Sequence, residues 1–170
     1  MSDKAKKIFV ILTVGVPFLM YCVYYYGHMI KNAPYKFSEF KSFTFKYGTP
    51  DSMVNIYNSQ TGAYQYLNRH DSLVKLNMPL GNNNLLYLHR KAADLGFWDF
   101  PGLELNSDST KLKGQKTLRY YIEFSYERKI KKVLFDESFN GDSRLKDANE
   151  QLIKEITKML NDVEEKTRKK

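Results

Sequence analysis

Cysteine is nearly missing from this chain of 170 residues; Cys22 is the only one. No intramolecular disulfide and no cysteine-ligated metal site can form from a single thiol. Histidine is scarce as well. His28, His70 and His89 stand at no metal-ligand spacing from one another, so neither a metal nor any other cofactor is expected. No glycine-rich phosphate loop follows a predicted strand, and no G-x-S-x-G elbow occurs. Asp94 with Asp99, and Glu123 with Glu127, can be written as carboxylate pairs, but such spacings usually mean solvated surface charge. With no base, nucleophile or metal held close together, no catalytic residues are assigned and the chain reads as non-enzymatic. Internal repeats and low-complexity blocks are also missing.

One further absence organises the rest. Asp, Glu, Lys and Arg are all missing from Ile8 to Ile30, a run of 23 residues. As a helix this run would span roughly 34 Å, enough to cross a hydrocarbon core of about 30 Å. Ten of its first sixteen residues are Ile, Leu, Val or Phe. At about 0.3 to 0.6 kcal/mol each they favour insertion, against Thr13, Gly15 and Pro17. Tyr21, Tyr24, Tyr25 and Tyr26 crowd the far end as an interfacial belt, and Lys4, Lys6, Lys7 and Lys31 flank the run. A cleaved secretory signal would end in small residues, where this chain has three tyrosines. A lipoprotein signal would need small residues before Cys22, where Leu19, Met20 and Tyr21 stand. A buried core helix of this length is rarely apolar on every face. The expectation is a retained, single-pass signal-anchor. Gly15, Pro17 and Gly27 are the points where another helix could approach closely.

The remainder is polar and foldable. Setting aside Asp3, Lys4, Lys6 and Lys7 leaves 24 basic against 18 acidic residues beyond residue 30. The excess is spread rather than clustered. Residues 1–7 form a short basic tail, 31–41 a juxtamembrane linker, 42–166 a globular domain and 167–170 a charged tail. Phe43, Phe45 and Tyr47 alternate with polar residues as a first strand. Met53–Tyr57, Ala63–Leu67 and Val74–Met78 follow with turns between them. Asn82, Asn83 and Asn84 offer caps for a helix whose apolar residues are Leu85, Leu88, Ala92 and Leu95, with Gly96 at its end. Phe97, Trp98 and Phe100 should lock that end onto the sheet. Leu103 to Thr117 reads as a loop. Leu118–Tyr126 and Ile130–Phe135 read as a hairpin. Leu145, Leu152, Ile156, Met159, Leu160 and Val163 form the stripe of a long final helix starting at Asp147 or Ser143. The expected class is α+β: an N-terminal transmembrane helix, then an antiparallel sheet in the order β4-α-β2-α, with two helices on one face.

Two surface features stand out. The predicted hairpin carries Arg119, Arg128, Lys129, Lys131 and Lys132, and the preceding loop adds Lys111, Lys113 and Lys116. Such a basic tip could meet lipid headgroups, an acidic protein or an anionic polymer, or simply guard an edge strand. Tyrosine is abundant, and Tyr121 falls on the polar face of its strand as a candidate contact residue. Nucleic acid is not an expected partner, since the aromatics sit on faces that should be core.

A small disulfide-free domain behind an anchor fits the periplasmic side of a bacterial inner membrane. The leading expectation is an accessory or scaffold subunit of an envelope complex, binding other membrane subunits. Its rivals are an immunity-type or inhibitor protein that binds a toxin or enzyme outside the membrane, and an anchored enzyme or envelope-polymer binder.

Overall fold

The computed structural model describes residues 3–31, 35–106 and 117–168. It divides into two units, Met1–Tyr35 and Lys36–Lys170.

The first unit is one helix, α1 (Asp3–Lys31), running unbroken through Pro17. Within it, Asp3–Tyr26 is long and apolar enough to cross a membrane, and none of that window is buried. The Thr13 hydroxyl donates to the Phe9 carbonyl at 2.7 Å, so it carries no unmet hydrogen bond on an apolar surface. Tyr21 and Tyr25, one turn apart, stack at 6.1 Å.

The second unit is α+β. Its strands are β1 (Phe40–Thr49), β2 (Ser52–Asn58), β3 (Ala63–Leu67) and β4 (Leu73–Asn77), then β5 (Leu103–Glu104), β6 (Arg119–Tyr126) and β7 (Ile130–Asp136). Two helices, α2 (Asn82–Asp94) and α3 (Ser143–Arg168), complete it. The sheet order is β4-β3-β2-β1-β6-β7-β5. Neighbours are antiparallel except β5, which pairs parallel with β7. The sheet is therefore mixed and has one strand more than the sequence pattern predicts. β5 is two residues long, too short to show alternation. It is held by the Leu134 amide donating to the Gly102 carbonyl at 3.0 Å and by the burial of the Glu104 side chain.

Alternation decides which side is core. Phe43 and Phe45 of β1, Tyr57 of β2, Ile122 and Phe124 of β6 and Val133 and Phe135 of β7 share one face, and all are buried. Phe43 meets Phe124 at 5.0 Å between ring centroids. Two ring pairs from the turn after α2 reach the same ring: Phe97 at 5.6 Å and Trp98 at 5.3 Å. The aromatic cluster after α2 thus fastens that helix end to β6. His89 of α2 and Glu164 of α3 bond to Tyr126 and Tyr66, both on this same face. The opposite face carries Thr44, Lys46, Ile56, Gln65, Tyr121, Glu123, Lys132 and Leu134, of which only Thr44 is buried.

Several boundaries differ from the sequence reading, each for a local reason. Asn82, Asn83 and Asn84 lie inside α2, and Gly81 is its cap, with extended backbone and no side-chain bond. Gly96 follows the helix with φ 74°, a left-handed conformation that a side chain would oppose. Asp147 and Glu150 lie inside α3. α3 begins at Ser143, the alternative start in the sequence reading, and the Asp142 carboxylate just before it accepts from the Arg144 amide at 2.9 Å. Helix continues to Arg168, where Glu164 accepts from both Tyr66 (2.6 Å) and Arg168 (2.5 Å). Gly48 sits at a register shift in β1, where a Cβ would come within 2.3 Å of the Ser52 carbonyl oxygen. Lys36 to Phe40 is no loose linker; Phe37–Glu39 is a 3-10 turn and Phe40 already pairs with Tyr126.

Candidate interaction surfaces

The residues expected to make contacts fall in three different environments. In α1, a Cβ on Gly15 would meet nothing within 4 Å, so the space that a second helix would use is open. Pro17 removes an amide that would otherwise bond one turn back. Gly27 continues the helix, but its surroundings lie outside the described side chains, as does all of the basic segment Lys111, Lys113 and Lys116.

The hairpin does not present its cations together. Arg119 forks onto Asp136, Nε to Oδ1 at 2.6 Å and Nη2 to Oδ2 at 3.0 Å, and the pair is largely buried. Such a charge is committed to the sheet. Lys131 shares parity with Val133 and Phe135, so its stem lies along the core face. Its ammonium donates to the Phe100 carbonyl and sits 6.0 Å from the centre of the Phe97 ring. Burial holds its pKa below the usual lysine range, partly offset by Asp99 and Glu104. Lys132 is exposed on the opposite face, across from Glu123. Arg128 is exposed in the turn and Lys129 is half-buried. Lys131 is thus separated from Arg128, Lys129 and Lys132, a split that the alternation of β7 already implies.

Tyr121 lies half-exposed on the outer face. Its hydroxyl donates to Glu123 and the Lys46 ammonium stands 5.4 Å from its ring centre. Burial, followed by Glu123, raises its pKa. Tyr57, Tyr64 and Tyr126 are buried. Tyr57 donates to the Met78 carbonyl at 3.3 Å and accepts from the Leu80 amide at 3.2 Å, and burial pushes its pKa up to about 12. Tyr66 and Tyr87 tie strand and helix to Glu164 and Glu155 of α3. The tyrosine richness therefore serves packing and inter-element bonds, with Tyr121 on the uncovered side.

Two polar features escape sequence reading. Glu104, 1% exposed, accepts a 2.6 Å bond from Asn149, which is fully buried, while Glu104 Oε1 and Asn149 Oδ1 have no partner. Burial pushes the Glu104 carboxyl up to about 7, against the pull of Lys131 and Asn149. His89 Nδ1 lies 2.8 Å from the Tyr126 hydroxyl, and burial, then Arg90, holds its pKa below the usual histidine range. A groove of about 340 Å³ between α2 and α3 is lined by Asn84, Tyr87, Glu155, Lys158, Met159 and Asp162, among others. Of its carboxylates Glu155 and Asp162, Glu155 is bonded to Tyr87. Among the described residues, no three His, Cys, Asp or Glu side chains converge as a metal-ligand group.

No family model, curated protein or solved structure matches this chain.

Proposed function

We propose that the protein is a membrane-anchored, non-enzymatic accessory subunit of a complex in a bacterial inner membrane, with its α+β domain on the periplasmic side. The observation that carries this reading is α1: an apolar helix whose candidate spanning window is wholly unburied needs lipid or another helix around it. The polar groups of the domain favour the same reading. Arg119, Tyr57, Tyr66, Tyr87 and Lys131 are bonded within the fold, which suits scaffolding better than chemistry.

If the anchor is retained, carbonate extraction leaves the protein in the membrane pellet, and a reporter that works only after export is active when fused at Lys170. A mature amino terminus beyond residue 22 sinks the anchor reading; activity of a cytoplasm-only reporter at Lys170 reverses the side.

Purification in mild detergent tests the subunit reading. A stoichiometric multi-spanning partner is the expected result. A soluble toxin-like partner favours the immunity-type alternative, and a monodisperse single chain from native membranes defeats the proposal. Replacing residues 8–30 with an unrelated span is expected to weaken the complex while leaving localisation intact, because Gly15 offers the close approach that small residues give between helices.

A further inference from the structure

The end of the domain at which its chain begins carries a specific arrangement of side chains. The Glu127 amide, in the β6–β7 turn, donates to the Glu39 carbonyl at 2.9 Å, so that turn lies beside the domain's first residues. Around this contact five rings gather, with Trp98 meeting His89 at 5.3 Å and Tyr126 at 5.9 Å. Phe37 stacks on Phe40 at 5.3 Å and meets His89 at 5.5 Å; Phe40 meets Tyr126 at 5.8 Å. Four of the rings have an exposed cation one or two positions away in the chain, while Trp98 is followed by the exposed Asp99. Lys36 precedes Phe37, Lys41 follows Phe40, Arg90 follows His89 and Arg128 lies two residues beyond Tyr126. Ile130, 61% exposed, projects from the same turn. The carboxylates closest in the chain to these rings are Glu39, half-buried, and Asp99 and Glu127, both exposed. The sequence spreads these cations over more than ninety residues; folding collects them. In sequence, Lys36 follows the last residue of α1 by five positions.

We propose that this end of the domain is a lipid-contacting surface, in which Lys36, Lys41, Arg90 and Arg128 meet anionic headgroups and Ile130 dips among them. The inference rests on α1 being a membrane anchor. A polycationic rim around an aromatic floor, with one aliphatic residue at its edge, is the chemistry of an anionic bilayer interface. Tethering adds effective concentration, so weak contacts suffice to orient the domain. Arg119, held in an ion pair with Asp136, takes no part.

The test uses the full chain with Cys22→Ser, labelled with an environment-sensitive fluorophore at Ile130→Cys and embedded in phosphatidylcholine vesicles with or without phosphatidylglycerol. A second label at Asn140→Cys, beyond the far end of β7, a strand that spans roughly 20 Å, serves as the reference. The expected result is blue-shifted emission at position 130, quenched by headgroup-level nitroxide lipid, only with phosphatidylglycerol. High salt, or Arg128→Glu with Lys36→Glu, should abolish the shift, and the label at position 140 should stay aqueous throughout. The salt titration needs no charge variant, so it reads the contact even if the double variant folds poorly. Equal, aqueous emission at position 130 in both vesicle types overturns the proposal. So does equal shielding in both, which would mean an apolar or protein contact. Release of the chain from vesicles by carbonate is a different failure, of the anchor itself, and removes this proposal with it.

Discussion

Glu104→Gln is expected to stabilise the domain at pH 8 by about 1–3 kcal/mol and to change it little at pH 4.5. The reason lies in one buried contact. Glu104 and Asn149 are 1% and 0% exposed, and Asn149 Nδ2 donates both to Glu104 Oε2 at 2.6 Å and to the Leu145 carbonyl at 3.0 Å. Glu104 Oε1 and Asn149 Oδ1 are left as two acceptors without a donor. A proton on the carboxyl supplies the missing donor and removes a buried charge. Burial accordingly holds the folded-state pKa at about 7, against an ordinary 4.5. The sign follows. Between those two values the folded state binds more protons than the unfolded one, so stability falls as pH rises from about 4.5 to about 7 and stays low above it. Glutamine keeps the shape and the acceptor, and its own amide donates permanently to Asn149.

His89 acts in the opposite sense. Its pKa is held down, so its contribution is present above the ordinary histidine value and is lost as pH falls. A difference between wild type and Glu104→Gln isolates the carboxyl from that background. Urea midpoints read at pH 4.5, 6 and 8 through Trp98, the only tryptophan, make the measurement. Parallel pH profiles for the two proteins, or a less stable variant at pH 8, would overturn the account. Lys131 is the other charge acting on Glu104, and Asp99 acts in turn on Lys131.

The pair at Glu104 and Asn149 also marks where sequence reading runs out. Strands β6 and β3 and the stripes of α2 and α3 are legible because burial imposes a period of two or 3.6 on residues with large apolar side chains. β5 has no period, since two residues cannot show one, and its buried member is a glutamate. Asn149 is equally hidden, an amide on the apolar stripe of an otherwise charged helix. Polar residues in a core are placed by a partner far away in the chain, here 45 positions apart, and single-sequence patterns do not carry partners. The basic surface is illegible for the same reason. Lys36, Arg90 and Arg128 become neighbours only because Phe40 pairs with Tyr126 and Phe37 reaches His89. Lys131 is the contrary case: its parity with Val133 and Phe135 marks it as inward-facing, whereas reading the hairpin by charge alone gathers it with the exposed Arg128.

Ile156→Ala is expected to cost about 2–5 kcal/mol, a large share of the 5–15 kcal/mol that such a domain has. Ile156 is fully buried in α3 between Leu152 and Leu160, which are equally covered, at the spacing that keeps one helix face on the sheet. Truncation removes three carbons from a packed interior and leaves a void that α3 cannot close. Its neighbours are held by directional bonds: Asn149 to Glu104, Glu155 to Tyr87, Glu164 to Tyr66. A helix pinned at both ends cannot slide to fill the gap, which places the expected cost in the upper half of that range. Met159→Ala, at a half-exposed position bordering the α2–α3 groove, serves as the control and should cost much less. The full chain in detergent, unfolded by urea and followed through Trp98 beside Phe124, reports both variants. An unchanged midpoint for Ile156→Ala would mean that the apolar stripe of α3 does not hold the domain together and is free to dock elsewhere. A large loss commits that stripe to the sheet, so that any partner of the domain must use other faces: the outer face around Tyr121, the α2–α3 groove, or the basic end around Arg128.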